Sequence, residues 1–261
     1  MKIHASITDF PLLSHLEEFF KNFSNAGVEG VEIVLGVKSR WKIQKLKYFS
    51  KKYKLPIASL HQPAWSGVGL YFDEEIGEIA QELGVKYMVF HPLAFHSFDS
   101  RAMKNYFQRL SKIQEKYGIH VMLENMPNDI AYKKLHQFPQ KNTLIPHMEK
   151  ISEIADEYGL LLTYDVSHAE LKKPQNEKIF QDMFSHIGNI HMSSFNKNQH
   201  HLPLSMGDLD SKGFLTYLKN KKYNGLLTLE VYYPKLGLVL DRYDFSAIED
   251  SVKIAKEILG K

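Results

Sequence analysis

The chain of 261 residues contains no cysteine. That absence excludes disulfide scaffolds, thiol nucleophiles, redox dithiols and every Cys-ligated zinc or iron–sulfur site. Any metal must therefore be held by His, Asp and Glu. No apolar run approaches the roughly 18 residues of a membrane span, and Met1–Phe10 lacks the basic start and apolar stretch of an export signal. The expectation is a soluble, cytoplasmic protein with no membrane partner. No glycine-rich phosphate loop follows the first apolar run, which weakens a doubly wound nucleotide-binding fold. No linker, low-complexity tract or composition shift divides the chain, so residues 1–261 read as one domain. Charge is nearly balanced, with 33 Lys and Arg against 30 Asp and Glu, and by itself neither indicates nor excludes nucleic acid.

Histidine, by contrast, is plentiful at 13 residues, and most would be neutral at pH 7 and able to ligate a metal. The rest of the pattern is a regular alternation. Short apolar, β-branched runs are expected as strands at Ile3–Ile7, Gly30–Leu35, Pro56–His61, Val85–His91, Ile119–Glu124, Leu160–Asp165, Asn189–Met192 and Leu226–Val231. Between and after them, 3.6-residue periodicity predicts helices at Leu12–Ser24, Trp41–Tyr53, Asp73–Leu83, Ser100–Tyr117, Met148–Tyr158, Asn176–Phe184, Ser211–Lys219 and Ser246–Leu259. About eight strand–helix pairs, with strands apolar on both faces, predict an α/β fold with a parallel sheet closed as a (β/α)8 TIM barrel. The longest irregular stretches, Gln62–Phe72, Pro127–Thr143, Ser193–Leu209 and Tyr232–Tyr243, all follow a strand and would lie on the face where barrel active sites are built.

Six consecutive strands each finish on a carboxylate or an imidazole: His61, His91, Glu124, Asp165, His191 and Glu230. In a barrel these ends converge, and buried charges are costly there unless paired or metal-bound. Divalent cations are the simplest way to hold such a set together. His168, three residues past Asp165, and His201, on the loop after the seventh strand, fit the same cluster. Nitrogen and oxygen ligands with this much imidazole favour a transition metal, Zn or Mn above all. His4, His15, His96, His120, His136, His147 and His186 lack such placement and read as packing or solvent residues. Glu32, inside the second strand, points into the barrel or pairs with a basic group. The Lys-rich segments Lys42–Lys54 and Lys219–Lys222 read as solvated helix faces.

These residues resemble the xylose isomerase-like barrel superfamily, which includes sugar and sugar-phosphate isomerases and epimerases together with apurinic-site nucleases of the endonuclease IV type. The resemblance runs from Gly27-Val-Glu-Gly-Val-Glu-Ile33 to the last helix. It rests on His61-Gln-Pro, His91-Pro, Leu123-Glu-Asn125, Asp165-Val-Ser-His168, Ile190-His191, His201-Leu-Pro with Gly207-Asp, and Leu229-Glu230. For the isomerases it implies one divalent metal on Glu124, Asp165, His191 and Glu230, with the two glutamates shuttling a proton between adjacent carbons. For the nuclease type it implies up to three ions, on His61, His91, Glu124, Asp165, His168, His191, His201 and Glu230. Gln199 stands where that type has a ligating Asp.

Isomerisation beside a carbonyl needs a polarising metal and carboxylates that remove and return a proton, which Glu124 and Glu230 suit; His168 is a further candidate for a catalytic role. Phosphodiester hydrolysis needs two or more metals and a surface that grips DNA. The extra histidines meet the first requirement, whereas Gln62–Phe72 is aromatic and lacks Arg and Lys. Mouth-loop aromatics, including Tyr71, Phe72, Phe95, Phe98, Tyr232 and Tyr233, could stack on a sugar. Trp65, Asn125 and Phe195 are the candidate substrate contacts. The resulting expectation is a metal-dependent isomerase or epimerase of a sugar or sugar phosphate. The alternatives are an endonuclease IV-like phosphodiesterase with abasic DNA as partner, and a barrel that binds carbohydrate or metal without turnover. Barrels of this kind often pair through outer helices or loops, so a homo-oligomer is compatible with any of these.

Overall fold

The computed structural model describes residues 1–7, 13–35, 43–62, 73–93, 99–126, 148–174, 177–231 and 243–261. Among these, eight parallel strands close into a barrel: β1 (Ile3–Ile7), β2 (Gly30–Val34), β3 (Ile57–His61), β4 (Tyr87–Phe90), β5 (His120–Glu124), β6 (Leu161–Asp165), β7 (Ile187–Met192) and β10 (Leu226–Leu229). β2 to β7 neighbour one another in chain order, and β10 closes the ring between β7 and β1. The surrounding helices are α1 (Leu13–Ala26), α2 (Ile43–Tyr53), α3 (Asp73–Leu83), α4 (Arg101–Tyr117), α5 (Met148–Tyr158), α6 (Lys178–Asp182), α7 (Ser211–Asn220) and α8 (Ser246–Leu259). The expected barrel is the observed one. No described helix is long and apolar enough to cross a membrane.

The main core lies between the strands and the helix ring. α1 buries Phe19, Phe20 and Phe23, and Phe19 meets Tyr243 and Phe245 edge-on at centroid distances of 4.8 and 5.1 Å, joining the first helix to the segment that leads into the last. α4 begins where Ser100 Oγ accepts the Met103 amide and ends where Gly118 turns left-handed at φ 60°, a geometry that costs glycine little.

The inside of the barrel is largely polar. Strand alternation places inward the residues two before each strand-end carboxylate or imidazole: Ser59, Val89, Met122, Thr163, Asn189 and Thr228, all buried. Two register irregularities occur in the described barrel, at Val31/Glu32 against β3 and at Leu162/Thr163 against β7. They set Ser59 opposite Glu32 and Asn189 opposite Thr163. Such bulges re-aim side chains near functional sites, and these two precede His61 and His191.

Several boundaries differ from expectation. Ser193–Leu209 is not wholly irregular: it holds an antiparallel hairpin of β8 (Ser194–Asn196) and β9 (Gln199–Leu202). Its turn is built by Asn196 Oδ1, which accepts the amides of Asn198 and Gln199 at 2.8 and 3.0 Å, an Asx turn. Mostly polar strands this short carry no hydrophobic alternation to read. The helix expected at Asn176–Phe184 is the shorter α6, followed by a 3-10 turn at Phe184–His186. β4 and β10 stop one residue short of His91 and Glu230.

At the lower end of the barrel, His4 is buried with no hydrogen-bond partner for Nδ1. Burial lowers its pKa to about 4, with Glu32 and Glu29 opposing the shift. The unfolded chain therefore takes up this proton near pH 6.5 while the folded one resists until about 4. Its share of stability is complete above pH 6.5 and lost as pH falls, about 3 kcal/mol by pH 4. Urea unfolding from pH 6.5 to 4 is expected to show a shallower acid loss in His4→Gln than in the wild type; parallel curves would refute this.

Candidate metal centre

β5, β6, β7 and the end of β10 deliver Glu124, Asp165, His191 and Glu230 to one point, where each offers a ligand atom within 4.8 Å of the others and all are buried. Three further groups share members with it: His61 and His91 with Glu124, His168 and His201 with Asp165, and Glu32 and His61 with His191. The structure thus brings together all eight metal-ligating candidates. Trp65 lies outside the described residues, as do Tyr71, Phe72, Phe95, Phe98, Tyr232, Tyr233, His96, His136 and His147.

Glu124 is the hub. Its Oε2 receives Nε2 of both His61 and His91 at 2.9 Å, and its Oε1 lies 3.0 Å from His191 Nδ1. Glu230 Oε2 stands 2.7 Å from the same Nδ1. Four of the five rings are held at one nitrogen by a neighbouring acceptor. His61 Nδ1 donates to the Gln62 carbonyl at 2.6 Å, His168 Nδ1 to Asn125 O at 2.9 Å, and His201 Nδ1 to Glu230 O at 3.1 Å. His191 turns the other way, with Nε2 facing Glu32. Rings held so keep the opposite lone pair for a cation, the usual outer support of metal-binding histidine. His168 and His201 then point Nε2 at Nε2 across 3.2 Å, a contact that needs a proton or a cation between them. His201 adopts φ 57° to reach it, an uncommon backbone for a residue other than glycine.

The electrostatics follow from this crowding. Burial disfavours the charged rings, yet Glu124 raises His61 to about 9, and Glu32, Glu230 and Glu124 raise His191 well above the ordinary value. Burial likewise opposes ionisation of Glu124 and Glu230, but His191 holds both well below the carboxylate range. His91 shares its carboxylate oxygen with the charged His61; burial pushes it down, and its Nδ1 is buried without a partner. Asp165 Oδ2 is likewise buried without a hydrogen-bond donor, and Glu230 Oε2 faces His191 Nδ1. Unfilled carboxylate oxygens turned toward imidazole nitrogens are the donor set a divalent cation takes.

Two candidate substrate contacts are placed differently from expectation. Asn125 uses its amide on the neighbouring strand, donating to Asp165 O at 2.9 Å and accepting Asp165 N at 2.7 Å, so it anchors β6. Phe195 is buried in the hydrophobic core. Gln199 is exposed at the start of β9. Sequence reading missed Gln62, whose Oε1 accepts the His91 amide at 3.0 Å, and Tyr106, whose hydroxyl donates to His91 O at 2.9 Å. The signal for Ser59 and Asn189 was present, since both sit two residues before a ligand on the inward parity.

A model of the xylose isomerase-like TIM barrel matches residues 20–258. An uncharacterized protein of Methanocaldococcus jannaschii is 27% identical over 209 residues, spanning 76% of this chain and 77% of that one. Among solved structures, a D-tagatose 3-epimerase-like protein superposes with a TM-score of 0.73 at 22% identity, covering 100% of this chain and 97% of that chain. The 3-keto-D-glucoside 4-epimerase of E. coli superposes with a TM-score of 0.70 at 18% identity, covering 98% and 99%. At such identities the structural likeness speaks for the fold, and with the sequence match it establishes that the chain belongs to the xylose isomerase-like TIM barrel family.

Proposed function

We propose that this protein is a divalent-metal-dependent isomerase or epimerase of a sugar or sugar phosphate, moving a proton on a carbon next to a carbonyl. The observation that carries the reading is the convergence of Glu124 and Glu230 on one imidazole nitrogen, at 3.0 and 2.7 Å, beside Asp165. Glu124, Asp165, His191 and Glu230 would hold the ion, Zn or Mn by their chemistry. When bound, the ion supplies Lewis acidity that polarises the substrate carbonyl and acidifies the neighbouring C–H. Both glutamates stay ionised near neutral pH, so either can accept that proton; the carboxylic acid so formed can return it to the adjacent carbon, and return to the opposite face of the same carbon needs the other glutamate to have taken a proton from solvent first. The similar solved structures include a sugar epimerase and an epimerase-like protein, in agreement with this chemistry.

The test is exchange of a substrate α-hydrogen with deuterated solvent across a panel of ketoses and their phosphates. Exchange is expected with Mn2+ or Zn2+ and not with chelator, and about 10²-fold slower in Glu230→Gln, the lower end of general-base effects. A second reading is favoured by the flanking groups, His61/His91/Glu124 and Asp165/His168/His201: a metal-dependent phosphodiesterase of the endonuclease IV type. Nicking of abasic DNA without exchange on any sugar would establish it in place of the first. A barrel that binds two or three ions and does neither would be a binding protein.

A further inference from the structure

Glu32 stands outside the group that would hold the catalytic ion, although with His61 and His191 it forms a flanking candidate group of its own. It is fully buried in the middle of β2, a layer below the ligands, and a solitary carboxylate there would be strongly disfavoured. Its partners are arranged around it. Ser59 Oγ, opposite in register, donates to Oε2 at 2.7 Å, and Asn189 Nδ2 lies 3.3 Å from the same oxygen. Asn189 is itself oriented, because its Oδ1 accepts from Thr228 Oγ1 at 3.0 Å and only its NH2 remains for Glu32. The remaining contact crosses the barrel: His191 Nε2 lies 3.1 Å from Oε1 and 3.3 Å from Oε2.

The contrast with the other rings is informative. His61, His168 and His201 are held from behind by neutral backbone carbonyls; His191 alone among these four is held by a carboxylate. We infer that Glu32 is a positioning residue for the metal centre: it accepts the Nε2 proton of His191, fixes the tautomer whose Nδ1 lone pair faces Glu124 and Glu230, and strengthens that nitrogen as a ligand. Glu32 cannot share the ion held by Glu124 and Glu230, because it lies on the opposite edge of the ring. The inference rests on the metal reading of the central cluster. An amide at this position can donate to Nε2 and so favour the reverse tautomer, with the proton on Nδ1 where the ion should bind.

The experiment is titration of the full-length protein with Mn2+ and Zn2+ by chelator competition, comparing wild type, Glu32→Gln and Asp165→Asn. Glu32→Gln is expected to keep the ion count and weaken the affinity 10- to 100-fold, the usual cost of losing an outer partner of a ligating histidine. Wild-type affinity in Glu32→Gln, with weakened binding in Asp165→Asn, overturns the inference and leaves the metal reading standing. Loss of a whole ion equivalent, with the rest bound at wild-type affinity, also overturns it, since Glu32 would then be a ligand. No binding by the wild type removes the metal reading itself. If Glu32→Gln fails to fold, nitrogen-15 NMR of the zinc-loaded wild type decides: a proton on His191 Nε2 and a coordinated Nδ1 support the role, and the reverse refutes it.

Discussion

Glu124→Gln is expected to weaken every ion bound at the centre and to lower turnover by about 10³-fold or more, within the range of general-base removal, while destabilising the metal-free protein by about 3–5 kcal/mol, the cost of breaking a buried ion pair. The reason is the division of labour between its oxygens. Oε2 receives two imidazoles and Oε1 a third. An amide can replace only one of these acceptors. Turned one way, its NH2 confronts His61 and His91; turned the other, it confronts His191. Either orientation sets a donor against a nitrogen that was donating. Glu230→Gln differs because that carboxylate meets a single imidazole nitrogen, at 2.7 Å. Calorimetric metal titration and urea unfolding in chelator separate the two effects. If Glu124→Gln retains wild-type metal affinity, or unfolds as the wild type does, the hub role is wrong.

The strand ends were legible because an apolar run that stops on His, Glu or Asp marks both the mouth of a barrel and a group that must find a partner there. Parity could have extended the reading inward to Ser59, Asn189 and Thr228, yet parity does not say which of them touch. The contact of Glu32 with His191 joins residues 159 positions apart and depends on how β2 and β7 face each other across the closed sheet. The supports of the other rings were not legible at all. Carbonyls of Gln62, Asn125 and Glu230 are backbone groups present at every residue, so their use as histidine holders leaves no trace in side-chain identity. Asn125 misled for a related reason: beside Glu124 in the sequence, it turns its amide to the Asp165 backbone instead of the mouth. The β8–β9 hairpin was hidden because an Asx turn and register, with little apolar alternation, define it, and that hairpin is what carries His201 back to His168.

Removing metal is expected to make the protein sensitive to alkali. In the interior, the carboxylates of Glu32, Glu124, Asp165 and Glu230 are buried, and without an ion the compensating charge is protons on imidazoles. His61 is raised to about 9, and His191 and His168 are raised as well, against burial that favours their neutral forms. A raised histidine contributes its stability fully below the unfolded value near 6.5 and loses it as pH climbs through the folded value. For His61 alone that is about 3 kcal/mol between pH 6.5 and 9. Glu124 and Glu230 act in the opposite window, since their depressed pKa values contribute above about 4.5 and are lost in acid. A bound divalent ion replaces the imidazolium charge with one that does not titrate, and at higher pH fewer protons compete for the ligands. At about 1,000 times the dissociation constant the ion adds about 4 kcal/mol, on the order of 10 °C in Tm for a chain of this size. Thermal unfolding with chelator and with Mn2+ should therefore diverge from pH 6 to 8.5, the metal-free curve falling while the loaded one holds. An increment that stays constant or shrinks across that range would mean that the buried carboxylates are not balanced by histidine protons that the ion displaces.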